Sequence, residues 1–128
     1  MALIKKLLET TQTIAIVGLS NNQSKASYQV AEFMQHHGYT IVPVNPNEGN
    51  ILGEKCFPNL EAIPFPVDMV NVFRPAKDCL EITHSAVAIN AKSVWLQLGI
   101  LNEEAHTIAS NAGLEFVMNR CLKIEYQM

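Results

Sequence analysis

Short runs of Ile, Val and Leu alternate along the chain with segments whose apolar residues recur every three or four positions. Thr13-Ile14-Ala15-Ile16-Val17 is the clearest run, ending in Gly18. Its unbroken apolar character predicts a strand buried on both faces, as in a parallel sheet covered by helices. Upstream, Leu3, Ile4, Leu7 and Leu8 form one helical stripe over residues 2–9, a short helix against the sheet edge. Downstream, Ser24 is placed as an N-cap, Ala26, Val30, Phe33 and Met34 mark one helical face, and Gly38 stops the helix. Residues 39–44 form a second strand. Pro43 removes one ladder donor there and so belongs near the strand's end or on an edge. Asn45-Pro46-Asn47 closes the strand with turn chemistry.

Residues 48–65 are the least regular part, with Gly49, Gly53, Pro58 and Pro64 and room for one helical turn at 59–63. A third strand over 67–73 is ended by Arg74-Pro75. Cys79, Ile82, Ala86 and Ile89 then predict a helix over 77–90. Residues 93–98 form a fourth strand closed by Gly99. Asn102 caps a helix with Glu103 and Glu104 in its first turn, and Ile108, Ala109 and Ala112 face inward until Gly113. A fifth strand over 114–118 precedes a polar tail. This alternation predicts an α/β fold, a doubly wound and mostly parallel five-stranded sheet between helices, as a single domain over 1–128.

Composition narrows the function. The chain has 128 residues, 48% hydrophobic and 16% charged, which suits one globular core. A net charge of −3 without any run of Lys or Arg argues against nucleic acid. No apolar run approaches the ~18–20 residues that span a membrane. Lys5 and Lys6 interrupt residues 1–8, which is unlike a signal peptide. Three cysteines, Cys56, Cys79 and Cys121, without a CxxC indicate reduced thiols in a cytoplasmic protein.

In a doubly wound sheet, ligands bind beyond the carboxyl ends of the strands. The residues there are 18–20, 45–47, 73–75, 97–99 and 119–121. Two of these clusters hold an arginine, Arg74 and Arg120, and the first opens a loop carrying Ser20, Ser24, Ser27 and Lys25. Guanidinium forks, hydroxyls and a helix N-terminus suit a small phosphorylated ligand, and Gly18 lets such a ligand approach the backbone closely. Lys25 and Arg74 are the expected phosphate cations, each without a carboxylate beside it. A dinucleotide fingerprint is incomplete, since Gly18-Leu19-Ser20 has one glycine where three are needed, and Asn45 stands where NAD sites place a ribose-binding acid. No GxxxxGK[ST] loop is present.

These residues resemble a known family. Val17-Gly18-Leu19-Ser20 with Lys25-Ala26-Ser27-Tyr28 resembles the G-x-S…[RK]-x-S-Y opening of small stand-alone CoA-binding proteins. Val42-Pro43-Val44-Asn45-Pro46 matches their V-P-V-N-P strand end, and residues 68–75 match their D-x-V-x-V-F-R-x block. Trp95-Leu96-Gln97-Leu98-Gly99 and Asn119-Arg120-Cys121 resemble the blocks that follow. Five blocks in order cover nearly the whole chain. Such proteins are similar to the N-terminal, Rossmann-like CoA-binding domain of the succinyl-CoA synthetase α subunit. The resemblance implies that Gly18, Leu19, Ser20 and Lys25, with Ser27 and Tyr28, meet the CoA phosphates. It also implies that Pro43, Val44, Asn45, Pro46, Phe73, Arg74 and Pro75 line the adenine and pantetheine path, with Asn119 and Arg120 completing the site. Lys25 stands where many members have Arg, and Asn22 or Gln23 replaces a common proline.

Catalytic chemistry is harder to find. The phosphorylated histidine of the synthetase belongs to a domain outside this match. His36 and His37 fall in a helix's last turn, where a cation favours the dipole. His84 lies mid-helix and His106 near a helix start, away from the strand ends. Cys121 is the exception, because Arg120 beside it could lower a thiol pKa and a CoA thiol arriving there could form a mixed disulfide. Trp95, Met34, Met69 and Met118 read as core. The expectation is therefore non-catalytic binding of CoA or an acyl-CoA, with a protein partner possible. The alternatives are a small NADP- or other nucleotide-dependent enzyme, with Arg74 accepting a 2′-phosphate, or a CoA-binding subunit of a separate catalytic chain.

Overall fold

A computed structural model describes residues 2–128; Met1, the first residue of the 1–8 segment, lies outside them. The apolar runs form a five-stranded parallel sheet with order β2-β1-β5-β6-β7, from β1 (Thr13–Val17), β2 (Thr40–Val44), β5 (Met69–Val72), β6 (Ser93–Leu96) and β7 (Glu115–Val117). Ile14, Ala15, Ile16, Met69, Val70 and Val72 are fully buried, as a central parallel sheet requires. Helices α1 (Ala2–Thr10), α2 (Ala26–His36) and α5 (Leu122–Gln127) cover one face through Ile4, Leu7, Val30, Met34 and Leu122. The other face packs against α3 (Cys79–Ala88) and α4 (Glu103–Asn111) through Cys79, Ala86, Ala105 and Ala109. The result is the expected three-layer, Rossmann-like arrangement.

Strand order reverses between β1 and β5, because the chain runs outward from β1 to β2 and then crosses back to β5. That reversal opens a crevice at the carboxyl ends of β1 and β5, where ligands of such folds bind. Pro43 lies on the edge strand β2, where its missing N–H costs no second ladder. Beyond it, the Phe57 N–H donates to the Pro43 carbonyl and the Asn45 N–H to the Phe57 carbonyl, covering that edge.

Three details differ from the sequence pattern. The residues after the last strand are helix α5, with Leu122 fully buried and Tyr126 set edge-on to Phe33, His37 and Tyr39. Six residues are too few to display a helical period. The irregular 48–65 segment contains a short antiparallel hairpin, β3 (Asn50–Ile51) and β4 (Glu54–Lys55), whose Ile51 is buried. Finally, α2 begins after Lys25, not after Ser24, whose backbone N–H and hydroxyl both donate to Asn22 Oδ1. The loop's own hydrogen bonds draw Ser24 away from the cap.

At the opposite end of the sheet, Asp68 joins three elements. Its Oδ2 accepts the N–H groups of Gln12 and Thr13 at 3.0 Å each, and Lys92 Nζ lies 3.7 Å from Oδ1. Partial burial alone would raise this carboxyl's pKa. The two backbone N–H groups and the Lys92 ammonium outweigh it and hold the pKa below its ordinary value.

Candidate functional site

The β1–α2 loop is held by its own polar groups. The Ser20 N–H donates to Ser27 Oγ at 3.0 Å, the Asn22 N–H to Ser20 Oγ at 3.0 Å, and Asn45 Nδ2 reaches across from β2 to the Leu19 carbonyl at 2.9 Å. Asn45 Oδ1 also accepts the Asn47 N–H. Ser27 and Asn45 are therefore committed to shaping the loops. Leu19 is fully buried in the core, and Pro43 is buried within β2, so neither lines the clefts described below. Tyr28 packs partly buried against the α2 face of the core.

Gly18 holds φ +86°, and a Cβ there would fall 2.7 Å from the Phe73 carbonyl oxygen and 3.0 Å from Arg74 Cδ. The close approach at this glycine is thus made by the end of β5. The glycine allows β1 and the chain after β5 to meet at the crevice.

Two clefts open on either side of this junction. One, of about 600 Å³, has a mixed lining: Ser20, Asn45, Asn47, Asn59, Glu61, Arg74, Asp78, Glu81 and Ser85 supply its polar side chains, and Val17, Val44, Pro46, Pro58, Leu60 and Ile82 its apolar ones, beside Gly18. The other, of about 470 Å³, is an apolar groove lined by Ala26, Val30, Phe73, Pro75, Leu98, Ile100 and Ile124, with Arg74, Gln97 and Cys121. Arg74 lines both. Ser20 and Ala26, at the two ends of the β1–α2 loop, each line one of them. A third hollow of about 500 Å³ shares Leu98, Cys121 and Ile124 with the groove and adds Asn119 and Arg120.

The cations differ in their surroundings. Arg74 is not without a carboxylate, as its neighbours in sequence suggested, because its Nη2 donates to Asp78 Oδ2 at 3.0 Å. Pro75 and a 3-10 turn over Ala76–Asp78 return the chain so that Asp78 faces Arg74. Lys25 belongs to none of the four ion pairs among the described residues. It is exposed at the N-cap of α2, where no side chain caps the helix. A cation at the positive end of a helix is locally unfavourable, by roughly 0.3–1 kcal/mol. Lys25 lines none of the three clefts.

Asn119 and Arg120 also do structural work. Asn119, at φ 60°, accepts the Gly99 N–H at 2.8 Å, and the Arg120 carbonyl accepts from Trp95 Nε1 at 2.8 Å. The Arg120 guanidinium lies 3.6 Å from Glu125. Trp95, Met34 and Met69 are fully buried core residues, whereas Met118 is partly buried at the third hollow. Beneath the apolar groove, Gln97 Nε2 donates to Asn71 Oδ1 at 3.2 Å, leaving Asn71 Nδ2 without a partner. None of the four histidines lines these clefts. His37 stacks on Phe33 and His106 on Phe116. Burial raises the Cys56 and Cys79 thiols above the ordinary cysteine range, with Glu48 and Asp78 adding to the rise. Sequence reasoning passed over Asn59, Glu61, Asp78, Glu81 and Ser85, which lie at short 3-10 turns or on α3 and not at strand ends.

Fold and site together define a small α/β protein with a crevice of about 600 Å³ at its topological switch point. Residues 12–127 match the CoA binding domain family, and the chain belongs to it. It is 36% identical over 123 residues to an uncharacterized protein, YneT, of Bacillus subtilis, covering 96% of this chain and 91% of that one. The solved structure of a hypothetical protein from Pyrococcus horikoshii OT3 shares 35% identity and superposes with a TM-score of 0.95 over 98% of this chain and 89% of that one. An ADP-forming acetate–CoA ligase II of Archaeoglobus fulgidus is 34% identical over 73 residues, 56% of this chain but 11% of the ligase. Among the described residues, no helix is long and apolar enough to cross a membrane.

Proposed function

We propose that this protein binds coenzyme A or an acyl-CoA along the carboxyl edge of its sheet, as a binding protein and not as an enzyme. The observation that carries the reading is the meeting at Arg74 of two clefts, one carrying many polar side chains and the other mainly apolar. CoA has the same division, with a polar adenosine half and a flexible pantetheine half joined at a pyrophosphate. In this reading the adenosine occupies the polar cleft, beside Asn45, Pro46 and Asn59. The pyrophosphate crosses the loop between Ser20 and Ala26, close to Lys25 and Arg74. The pantetheine arm runs down the apolar groove past Phe73 and Pro75 toward Cys121. Membership in the CoA binding domain family supports the ligand class.

Thermal denaturation tests the reading. A ligand that binds only the folded state at a hundredfold excess over its dissociation constant adds about 2.7 kcal/mol of stability. For a domain of this size that is a rise of several degrees in Tm. CoA produces it and NADP does not; a shift with NADP and none with CoA overturns the assignment. A second reading, a CoA-binding subunit that serves a separate catalytic chain, is favoured by the ligase match, in which the similar segment is a small part of a longer polypeptide. Co-purification of a second chain, and CoA-dependent chemistry appearing only with both, distinguishes it.

A further inference from the structure

Arg74 faces both clefts, yet its guanidinium is already engaged. Nη2 donates to Asp78 Oδ2 at 3.0 Å, and the side chains are 51% and 33% exposed. Asp78 lines the polar cleft along with Glu61 and Glu81, and Arg74 is the one Lys or Arg in that lining. Although Asp78 stands at the start of α3, its carboxylate caps none of the helix N–H groups. Among the described residues, Arg74 is the one side chain with which it forms an ion pair. The turn that carries it is fixed independently, since the Asp78 N–H donates to the Pro75 carbonyl at 2.9 Å and Asn102 Nδ2 to the Ala76 carbonyl at 2.9 Å.

We propose that Asp78 competes with the ligand's phosphate for Arg74, and that it sets the affinity of the site by occupying Arg74 until a phosphate displaces it. The inference rests on the CoA reading above. A half-exposed ion pair is weak, whereas a phosphate bonds a guanidinium through two parallel N–H···O contacts. The exchange therefore favours phosphate, at the cost of leaving the Asp78 carboxylate unpaired near a second anion. Removing that carboxylate frees Arg74 and removes the repulsion. Relief of the repulsion persists without Arg74, so the share of the gain that is lost in Arg74→Ala belongs to that guanidinium.

Calorimetric titration of CoA into the wild type, Asp78→Asn, Arg74→Ala and the double variant forms a double-mutant cycle. Asp78→Asn is expected to bind CoA about three- to tenfold more tightly, and the gain is smaller when Arg74 is alanine, where only the repulsion is relieved. If Asp78→Asn binds CoA no better than the wild type, or gains equally without Arg74, Asp78 is not a competitor for that guanidinium. If the wild type binds no CoA, the CoA reading falls, and this role with it. Circular dichroism and Tm verify folding. Asp78→Ser, whose hydroxyl suits the start of a helix, repeats the cycle if the asparagine variant does not fold.

Discussion

Gly18 and Phe73 meet backbone to backbone: a Cβ on the glycine would lie 2.7 Å from the Phe73 carbonyl oxygen. β1 and β5 run parallel from Ile14 opposite Met69 to Val17 opposite Val72, and the Phe73 N–H still donates to the Val17 carbonyl at 2.9 Å. Their loops then diverge around this contact. A side chain at 18 must push apart the two strands that form the crevice.

Gly18→Ala is accordingly expected to destabilise the fold by about 2–4 kcal/mol, combining positive-φ strain with a clash against backbone. Urea denaturation reads this directly. Stability within about 0.5 kcal/mol of wild type would show that the junction yields at little cost.

Lys25 opposes the dipole of α2 and caps nothing. Lys25→Ser supplies a capping hydroxyl and removes the charge, so it is expected to raise the Tm of the ligand-free protein by about 1–5 °C. The same change is expected to weaken CoA about tenfold, by loss of a charge-assisted contact. Opposite signs in the two measurements identify a residue kept for binding at the expense of stability. An unchanged CoA affinity would remove Lys25 from the site.

Asp68 gives the fold a pH dependence. Its carboxyl pKa is lower in the folded chain than in the unfolded one. The stabilisation it provides is therefore complete above the unfolded value of about 3.9 and is lost as pH falls through the folded value. Asp68→Asn is expected to cost about 1–3 kcal/mol at neutral pH, and the gap to wild type closes on acidification below about pH 4. A gap of constant size across that range would mean that the carboxylate's charge contributes nothing.

The sheet was legible in the sequence because burial on both faces leaves no polar residue to interrupt Ile14 to Val17 or Val70 and Val72 apart from Asn71, whose Oδ1 accepts from Gln97. The strand ends were legible for the same reason, since Gly18, Asn45 and Arg74 follow the apolar runs at once. What escaped depends on contacts between distant segments. Helix α5 exists because Leu122 and Tyr126 find the α2 face, and six residues cannot announce that in advance. Leu19 appears in a loop motif but turns into the core. Asp78 is four residues from Arg74, a spacing that signals an ion pair within a helix. Here the pair forms across Pro75 and a 3-10 turn, outside any helical pattern.

The most direct measurement of the central claim is calorimetric titration of the purified chain with CoA, dephospho-CoA and NADP. One CoA is expected to bind per chain, with NADP giving no heat of binding, and Arg74→Ala is expected to weaken CoA about tenfold or more through loss of a charge-assisted hydrogen bond. Saturable binding of NADP without binding of CoA, or a CoA affinity indifferent to Arg74, would contradict the account of this edge as a CoA site centred on that residue.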